Sequence, residues 1–332
     1  MARWHCTLRH WLAAPLLSCV VQWVSAGEAD AWLRQLSDAA QTHAYSGTMV
    51  ISVGEQMATA RVAHAVKDGL SLDRIEVLTG EPRTTYRRGS EVVTVWPKQG
   101  LWVKEWHQDL GVFAALSRAD GVSVDGLYRL GAVAPDRVAG RAAQVLELQP
   151  RDDARWGYRI WRDVATGLML KVQTLSNDLQ LVLEQTAFTS LDTAPDFAHA
   201  DWLQHLPEAK GMRVREGKVQ AVKPKDWGLS LPNQVKGFVL RRAQLPAGQG
   251  QPSADHPLQW IFSDGLASVS VFYQPMEVPA TAVAERVIRM GATHTLLRET
   301  QAMRLTVVGE APVPTLRAFA DALMVQKTVR TH

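Results

Sequence analysis

The chain has 332 residues, of which 46% are hydrophobic and 21% are charged. This composition excludes a disordered chain and provides enough apolar material for two folded domains. Lysine and arginine number 36 against 33 aspartates and glutamates, which gives a net charge of +3. Holding a nucleic-acid backbone requires a concentrated basic face, so this near-neutral chain does not predict nucleic-acid binding.

Residues 1–26 are typical of a secretory signal peptide. Arg3 and Arg9 precede an apolar stretch over residues 11–21, and small residues end at Ala26, the expected cleavage point. Loss of both arginines would leave 34 basic and 33 acidic residues. The alternative is a lipoprotein signal in which Cys19 is lipidated and retained. Beyond residue 26, no apolar run approaches the roughly 18 residues of a membrane-spanning helix.

Both cysteines of the chain, Cys6 and Cys19, lie inside this leader. The processed protein would therefore contain no disulfide, no thiolate nucleophile and no cysteine metal site. Stability must then come from burial of apolar surface, and a chain of about 300 residues buries roughly three quarters of its unfolded surface.

The first periodic segment, Asp30 to His43, has apolar residues at helical spacing, with Asp30 as a predicted N-cap. Alternating segments follow, interrupted by a short helical or irregular piece near residues 112–116. The predicted strands are Tyr45–Val53, Met57–Val66, Leu70–Leu78, Arg83–Arg88, Val92–Trp96, Leu101–Trp106, Tyr128–Val133, Arg137–Val138, Ala142–Leu148, Tyr158–Arg162, Leu168–Leu175 and Leu179–Thr189. So many consecutive antiparallel strands predict a strongly curved sheet or unclosed β-barrel, with the helix over its open side and a cavity wherever the helix does not fill it.

Periodicity fails after residue 195, where lysine and arginine become frequent. We therefore predict a large domain over 27–200, a linker over 201–226 and a small domain over 227–332. Lys210, Arg213 and Arg215 could form a docking strip for an acidic partner, or they could belong to a solvated connector.

The small domain is predicted to be α+β, like the protein as a whole. Its predicted strands are Phe238–Leu245, Leu258–Phe262, Ser268–Tyr273, His294–Arg298 and Met303–Val308. Helices are predicted over Thr281–Arg289 and Pro314–Val325, the second with Pro314 in its first turn.

Motifs that carry chemistry are absent from the sequence. The histidines are dispersed without metal-ligand spacing, and no GxSxG, Walker or GxGxxG motif occurs. Ser263-Asp264-Gly265 indicates a turn more simply than part of a catalytic triad. The sequence therefore predicts no enzyme, no metal and no cofactor. An enzyme remains the third alternative, to be tested at His64 or Asp264.

Three tryptophans, Trp96, Trp102 and Trp106, flank one predicted hairpin. Their even spacings would place all three on one face if the pairing is regular. Facing inward, they could line a lipid cavity; the alternative is ordinary hairpin packing.

Several segments together resemble the RseB/MucB family of periplasmic sigma-factor regulatory proteins. They begin with Tyr45-Ser46-Gly47-Thr48, Arg61 to His64, Arg74 to Gly80 and Tyr86-Arg87-Arg88. Asp163 to Leu168 resembles the hairpin of the family's large domain, and Phe262 to Phe272 and Thr306 to Pro312 resemble its small domain. Ala311 stands where the family commonly has valine.

This resemblance implies a lipoprotein-carrier-like open barrel, a small domain and a periplasmic location. It implies binding to the periplasmic region of an anti-sigma factor like RseA or MucA, which is thereby shielded from site-1 proteolysis. Release is expected on binding of lipid or lipopolysaccharide. The alternative is a periplasmic lipid or lipoprotein carrier, and a homodimer is left open.

Overall fold

A computed structural model of the protein describes residues 28–106, 123–131, 133–223, 235–276, 283–300 and 303–328. The predicted leader and the predicted helical or irregular piece at residues 112–116 lie outside the described residues. Among the described helices, none combines the length and the hydropathy that crossing a membrane would require.

The larger of two sheets contains thirteen strands within the described residues and follows helix α1 (Glu28–Thr42). Its strands are β1 (Tyr45–Val53), β2 (Gln56–Lys67), β3 (Leu70–Val77), β4 (Arg83–Arg88), β5 (Glu91–Trp96), β6 (Leu101–Trp106), β7 (Tyr128–Leu130), β8 (Ala134–Val138), β9 (Arg141–Pro150), β10 (Gly157–Asp163), β11 (Met169–Leu175), β12 (Val182–Asp192) and β13 (Arg213–Gly217). The spatial order is β13-β6-β5-β4-β3-β2-β1-β12-β11-β10-β9-β7, and β8 also pairs with β9. Because β13 and β7 do not pair with each other, this curved sheet is unclosed, as the sequence predicts.

Helix α1 covers part of one face of the large sheet. Its apolar stripe contains Ala29, Trp32, Leu33 and Leu36, all of them buried. The stripe packs against buried side chains of β9 and β10, including Leu146. We call this side of the sheet the helix face. Asp30 does not cap the helix as predicted, because α1 begins at Glu28; its Oδ1 accepts a hydrogen bond from Val124 N at 3.0 Å.

The opposite side of the sheet is the connector face. It is named for the connector, the segment over residues 193–212 that joins β12 to β13. Arg88 Nη1 donates to Leu203 O at 3.2 Å and to Gln204 O at 3.0 Å. Trp102 Nε1 donates to Pro207 O at 3.0 Å. Short 3-10 helices occur at Pro97–Gln99, between β5 and β6, and at Asp201–Leu203 within the connector.

The predicted linker supplies one edge strand to each sheet. Strand β13 pairs in parallel with β6, and β14 (Val219–Ala221) pairs antiparallel with β15 of the smaller sheet. Only Lys218 separates the two strands. Sequence periodicity could not indicate these strands because both are short, and almost all of their residues are exposed.

The smaller sheet contains seven described strands in the order β14-β15-β16-β17-β20-β19-β18. The remaining ranges are β15 (Val239–Pro246), β16 (Leu258–Ser263), β17 (Ser268–Pro275), β18 (Ala284–Met290), β19 (Thr293–Glu299) and β20 (Met303–Gly309), followed by helix α2 (Val313–Thr328). Leu316, Phe319 and Ala320 of α2 join a buried cluster with strand residues such as Trp260.

The helix predicted over Thr281–Arg289 is wrong. Residues 284–290 form the edge strand β18, which pairs with β19 from Ala284 opposite Glu299 to Met290 opposite Thr293. Glutamate, arginine and alanine give this segment a helical composition, but backbone pairing with β19 prevails over that local preference.

The two sheets meet at a buried ion pair. Arg155 Nη1 lies 2.7 Å from Asp264 Oδ2, and both side chains are completely inaccessible to solvent. Asp264 belongs to the turn between β16 and β17, and its Oδ1 also accepts hydrogen bonds from Leu266 N at 3.0 Å and Ala267 N at 2.7 Å. The turn predicted at Ser263-Asp264-Gly265 is therefore present, and it carries the counter-ion of Arg155.

Further contacts surround this ion pair. Leu266 is buried in the same hydrophobic cluster as α1, so a side chain of the smaller unit completes the core of the larger one. Trp156 Nε1 donates to Ala292 O at 2.9 Å, and Thr315 Oγ1 donates to Ala154 O at 2.8 Å.

We predict that Arg155→Ala lowers the free energy of unfolding by about 3–5 kcal/mol, because it leaves the Asp264 carboxylate buried without its guanidinium. Urea denaturation of the mature chain measures this change. The matched control is Arg159→Ala, because the Arg159–Glu147 pair is partly exposed, with one third of each side chain accessible. The control should cost less than about 1 kcal/mol; equal losses would contradict the role assigned to Arg155.

Candidate functional site

The hairpin of β5 and β6 divides the three predicted tryptophans between two faces. Trp96 pairs with Leu101, and Val95 pairs with Trp102. Directly paired residues point to the same side of an antiparallel sheet. Trp102 and Trp106 therefore share the connector face, whereas Trp96 lies on the helix face. The prediction that all three share one face is wrong, because even spacing places residues on one face only within a single strand.

Trp102 and Trp106 are engaged on the connector face. Only 8% of Trp102 is exposed, and its indole N–H is bonded to Pro207 O in the connector. The half-buried ring of Trp106 has Lys104 Nζ at 5.0 Å and Lys218 Nζ at 5.3 Å from its centroid. Both rings therefore have a packing role. Trp102 is held by its indole hydrogen bond, and Trp106 is held by its cation–π contacts.

The helix face over β5 and β6 has a different character. It carries buried Val92 and Val103 beside half-buried Trp96 and Leu101. We call these four residues the Trp96 patch. In the described part of the chain, the hydrophobic clusters that contain α1 include no residue of β4, β5 or β6. The patch is thus apolar, lies on the predicted interior side and belongs to neither cluster that contains α1; Trp96 and Leu101 are its partly exposed members.

A buried polar cluster lies on the same face, between α1 and the Trp96 patch. Asp73 accepts a hydrogen bond from His64 Nδ1 at 2.6 Å and pairs with the Arg87 guanidinium through its second oxygen. Tyr45 stacks on His64 with the ring centroids 4.9 Å apart. Burial raises the pKa of Tyr45, and the charge of Asp73 adds to the rise.

This cluster contains a histidine–carboxylate pair, the unit that activates nucleophiles in hydrolases. His64 Nε2 is the atom that would take the proton, and among the described residues it has no hydrogen-bond partner. No hydroxyl or thiol is therefore hydrogen-bonded to this nitrogen in that part of the chain. Sequence reasoning missed Asp73 and Arg87, because nothing but the register of β2, β3 and β4 brings them to His64.

The predicted basic strip is only partly assembled. Arg213 and Arg215 lie on β13, aligned with Leu101 and Val103 of β6, and so they flank the Trp96 patch on the helix face. Lys210 precedes the strand and pairs with Glu208 at 3.0 Å, where both side chains are largely exposed.

Strand β13 is a sheet edge. All five of its residues are exposed, and β6 is its sole neighbour in the described strand order. Arg213 N donates to Gly100 O at 2.8 Å, so the peptide groups of the next residue, Val214, point away from the sheet. An extended chain could pair with these groups.

Metal ligation finds no support in the described segments, where no group of three or more histidine, cysteine, aspartate or glutamate side chains could hold an ion. The arrangement is instead suited to binding. It combines an apolar patch, two adjacent arginines and an open strand edge.

Comparison with known proteins gives matches over most of the chain. The model of the MucB/RseB N-terminal domain matches residues 28–206, and that of the MucB/RseB C-terminal domain matches residues 222–324. The sigma factor AlgU regulatory protein MucB of Pseudomonas aeruginosa is 29% identical over 303 residues, covering 89% of this chain and 90% of the relative. The sigma-E factor regulatory protein RseB of Escherichia coli K12 is 23% identical over 292 residues, covering 88% and 89%.

Solved structures agree with the sequence matches. The structure of the Pseudomonas aeruginosa MucA/MucB complex superposes with a TM-score of 0.64 at 27% identity, covering 89% of this chain and 97% of that chain. A structure of MucB gives a TM-score of 0.55 at 25% identity, covering 90% and 98%.

We predict that Trp102→Ala lowers the free energy of unfolding by about 3–5 kcal/mol, because it removes a buried indole and its bond to the connector. Trp96→Ala should cost less than about 2 kcal/mol, because that ring is only half-buried and its removal leaves little cavity. Urea denaturation of both variants provides the comparison. Equal losses would contradict the assignment of the two rings to differently covered faces.

Proposed function

The chain belongs to the MucB/RseB family, and we propose that it is a periplasmic negative regulator of an envelope-stress sigma factor. It binds the periplasmic region of a membrane anti-sigma factor of the MucA/RseA type and shields that region from site-1 proteolysis. The sigma factor then stays sequestered, and lipid or lipopolysaccharide promotes release. The regulator acts by binding and not by catalysis.

One observation carries the proposal: both family models match in succession, covering residues 28–206 and 222–324 of one chain. The regulatory relatives named above are matched over nearly their whole length. The predicted signal peptide supports the periplasmic location.

For the partner we propose strand addition at β13. The outward peptide groups of Val214 offer backbone pairing, and Arg213 and Arg215 attract acidic side chains of the added segment. Among the described residues, neither arginine forms an ion pair, whereas Lys210 and Lys218 pair with Glu208 and Glu216.

We expect Arg213→Glu/Arg215→Glu to weaken binding of the periplasmic anti-sigma segment at least tenfold, because the charges flanking the strand edge are reversed. Titration of the purified mature chain with that segment measures the dissociation constant. Arg34→Glu/Lys67→Glu is the matched control, since it makes the same charge change at exposed positions elsewhere.

Backbone pairing is tested separately with Val214→Pro, which deletes the outward N–H, against Val214→Thr, which keeps it. Binding that survives in both Val214→Pro and the double arginine variant would place the partner elsewhere and overturn strand addition at β13.

For the effector we propose that an acyl chain lies on the Trp96 patch, with anionic groups beside Arg213 and Arg215. Lipid and partner would then share the two arginines, so occupancy by one lowers the affinity for the other. Thermodynamic linkage requires the effect to be reciprocal.

We predict that Trp96→Ala weakens binding of lipopolysaccharide at least fivefold while the affinity for the anti-sigma segment changes less than twofold, because the apolar contact serves the lipid alone. Trp106→Ala is the control, since that ring lies on the connector face. Equal effects of the two substitutions on lipid affinity would remove the Trp96 patch from the site.

The decisive experiment is capture of the host's periplasmic anti-sigma segment by residues 27–332, with and without lipopolysaccharide. Capture that lipopolysaccharide reverses supports the regulator. A lipid carrier is the second candidate. The Trp96 patch favours it, because lipid binding at this patch does not depend on a protein partner. Lipid transfer without any capture of the segment would establish the carrier instead.

A further inference from the structure

Strand β18 is an open edge of the smaller sheet. It ends the described strand order, and six of its seven residues are exposed. Two of these are large apolar residues, Ile288 and Met290, whose accessible fractions are 53% and 57%. The other described edges are shorter or interrupted, because β7 and β14 have three residues each, β13 has five, and β8 contains Pro135. A long uninterrupted edge is a template for pairing with a further strand.

The pairing of β18 with β19 determines which of its peptide groups point away from the sheet. The two-residue turn Gly291-Ala292 joins Met290 to Thr293. The two residues that flank such a turn are hydrogen-bonded to each other, and bonded residues then alternate along an antiparallel strand. The N–H and C=O groups that point outward therefore belong to the alternate residues Glu285, Val287 and Arg289.

The charges on these outward residues are self-complementary about Val287. Glu285 lies two residues before it, and Arg289 lies two residues after it. When two copies of β18 run antiparallel with Val287 opposite Val287, each Glu285 faces Arg289 of the second copy. In the same alignment, the outward peptide groups of the two strands pair with each other. Charged side chains usually protect a strand edge, but here they attract an identical edge.

No neighbouring register has this property. A shift of one residue would place an outward peptide group opposite an inward one, so the backbones could not pair. A shift of two residues in one direction sets Arg286 opposite Arg286 of the second copy, and like charges directly opposite are destabilising. A shift of two residues in the other direction sets Arg289 opposite Val287 and leaves its charge without a partner. The sequence of β18 therefore selects the alignment centred on Val287.

Both charged groups are available for this contact. Arg289 is exposed and takes part in none of the ion pairs of the described residues. Glu285 Oε2 accepts a hydrogen bond from Arg298 Nη2 at 2.6 Å, and Oε1 accepts one from Arg317 Nε at 2.8 Å. These bonds orient the carboxylate and lower the pKa of Glu285. Each carboxylate oxygen has two lone pairs, so Oε1 can accept a further bond from the second copy.

We propose that β18 is a docking surface for a second copy of this chain, and that the smaller sheets of the two copies join there into one continuous sheet. The contact is isologous, so it closes on itself and produces a dimer. It consists of a single strand pair and is therefore small, and we expect micromolar association. It uses a different edge from β13, which belongs to the larger sheet.

Sedimentation equilibrium of residues 27–332, from about 1 μM to about 200 μM, measures the association. We expect a monomer–dimer equilibrium that Arg289→Glu weakens at least tenfold, because the substitution places carboxylates opposite each other at both ends of the strand pair. Arg286→Glu is the matched control. It makes the same charge change on the same strand, opposite Ile288 of the second copy, and should alter the dissociation constant less than about threefold.

Two results would overturn the proposal in this measurement. One is a chain that stays monomeric over the whole concentration range. The other is an equal loss of association in Arg289→Glu and Arg286→Glu, because that loss would reflect total charge and not pairing across the strands.

The register is tested with single cysteines, because residues 27–332 contain none. Under mild oxidation, Val287→Cys should form a disulfide between copies, since directly paired Cα atoms lie about 5.5 Å apart, within the range of a disulfide. Arg289→Cys is the control. Its counterpart in the second copy lies four residues along the strand pair, more than about 13 Å away, and cannot be bridged.

Equal cross-linking of the two cysteine variants, or none in Val287→Cys at concentrations where the dimer sediments, would overturn the alignment centred on Val287. No anti-sigma segment or lipid is present in either experiment. Failure of the dimer would therefore leave the proposed function untouched, and failure of the proposed function would leave the dimer untouched.

Discussion

The ion pair of Arg155 and Asp264 is the interaction on which the two-part architecture depends. A guanidinium without solvent contact is tolerable only because carboxylates and a backbone carbonyl take up its donors: Asp264, Asp152 and Lys236 O. Asp264 in turn holds the turn that presents Leu266 to the core beneath α1. Charge neutralisation, turn geometry and apolar burial thus depend on one another, and one side chain of the smaller unit belongs to the larger unit's core.

Strand register decides which chemistry each face of the large sheet presents. The four-residue connection between Trp96 and Leu101 places Trp96 on the helix face and turns Trp102 toward the connector. The same register aligns His64, Asp73 and Arg87 on three successive strands, and it places Arg213 and Arg215 beside the Trp96 patch. A shift of one residue in any of these pairs would exchange the two faces.

Much of the fold could be predicted from the sequence, because its signals are local. The stripe on α1, the alternation of β1 to β6 and the turn at Ser263-Asp264-Gly265 follow from the spacing of apolar and turn-forming residues. The missed features depend on partners distant in the chain. Strands β13 and β18 are exposed edges whose composition does not favour strands, and Arg155 and Asp264 are 109 residues apart. For the candidate site, the sequence predicted which residue types take part. Their distribution over the two faces of the sheet could be read only from the strand register.

The junction of β13 and β14 restricts how the two sheets can move relative to each other. Strands β13 and β14 belong to different sheets, yet a single residue joins them. The segment therefore connects the two sheets rigidly, and its length cannot vary any more than that of a core strand. Insertion of one residue here would change the alignment of one strand or push the sheets apart, whereas ordinary interdomain linkers absorb such changes. An extended ligand bound along β13 would thus contact a strand that continues directly into the neighbouring sheet.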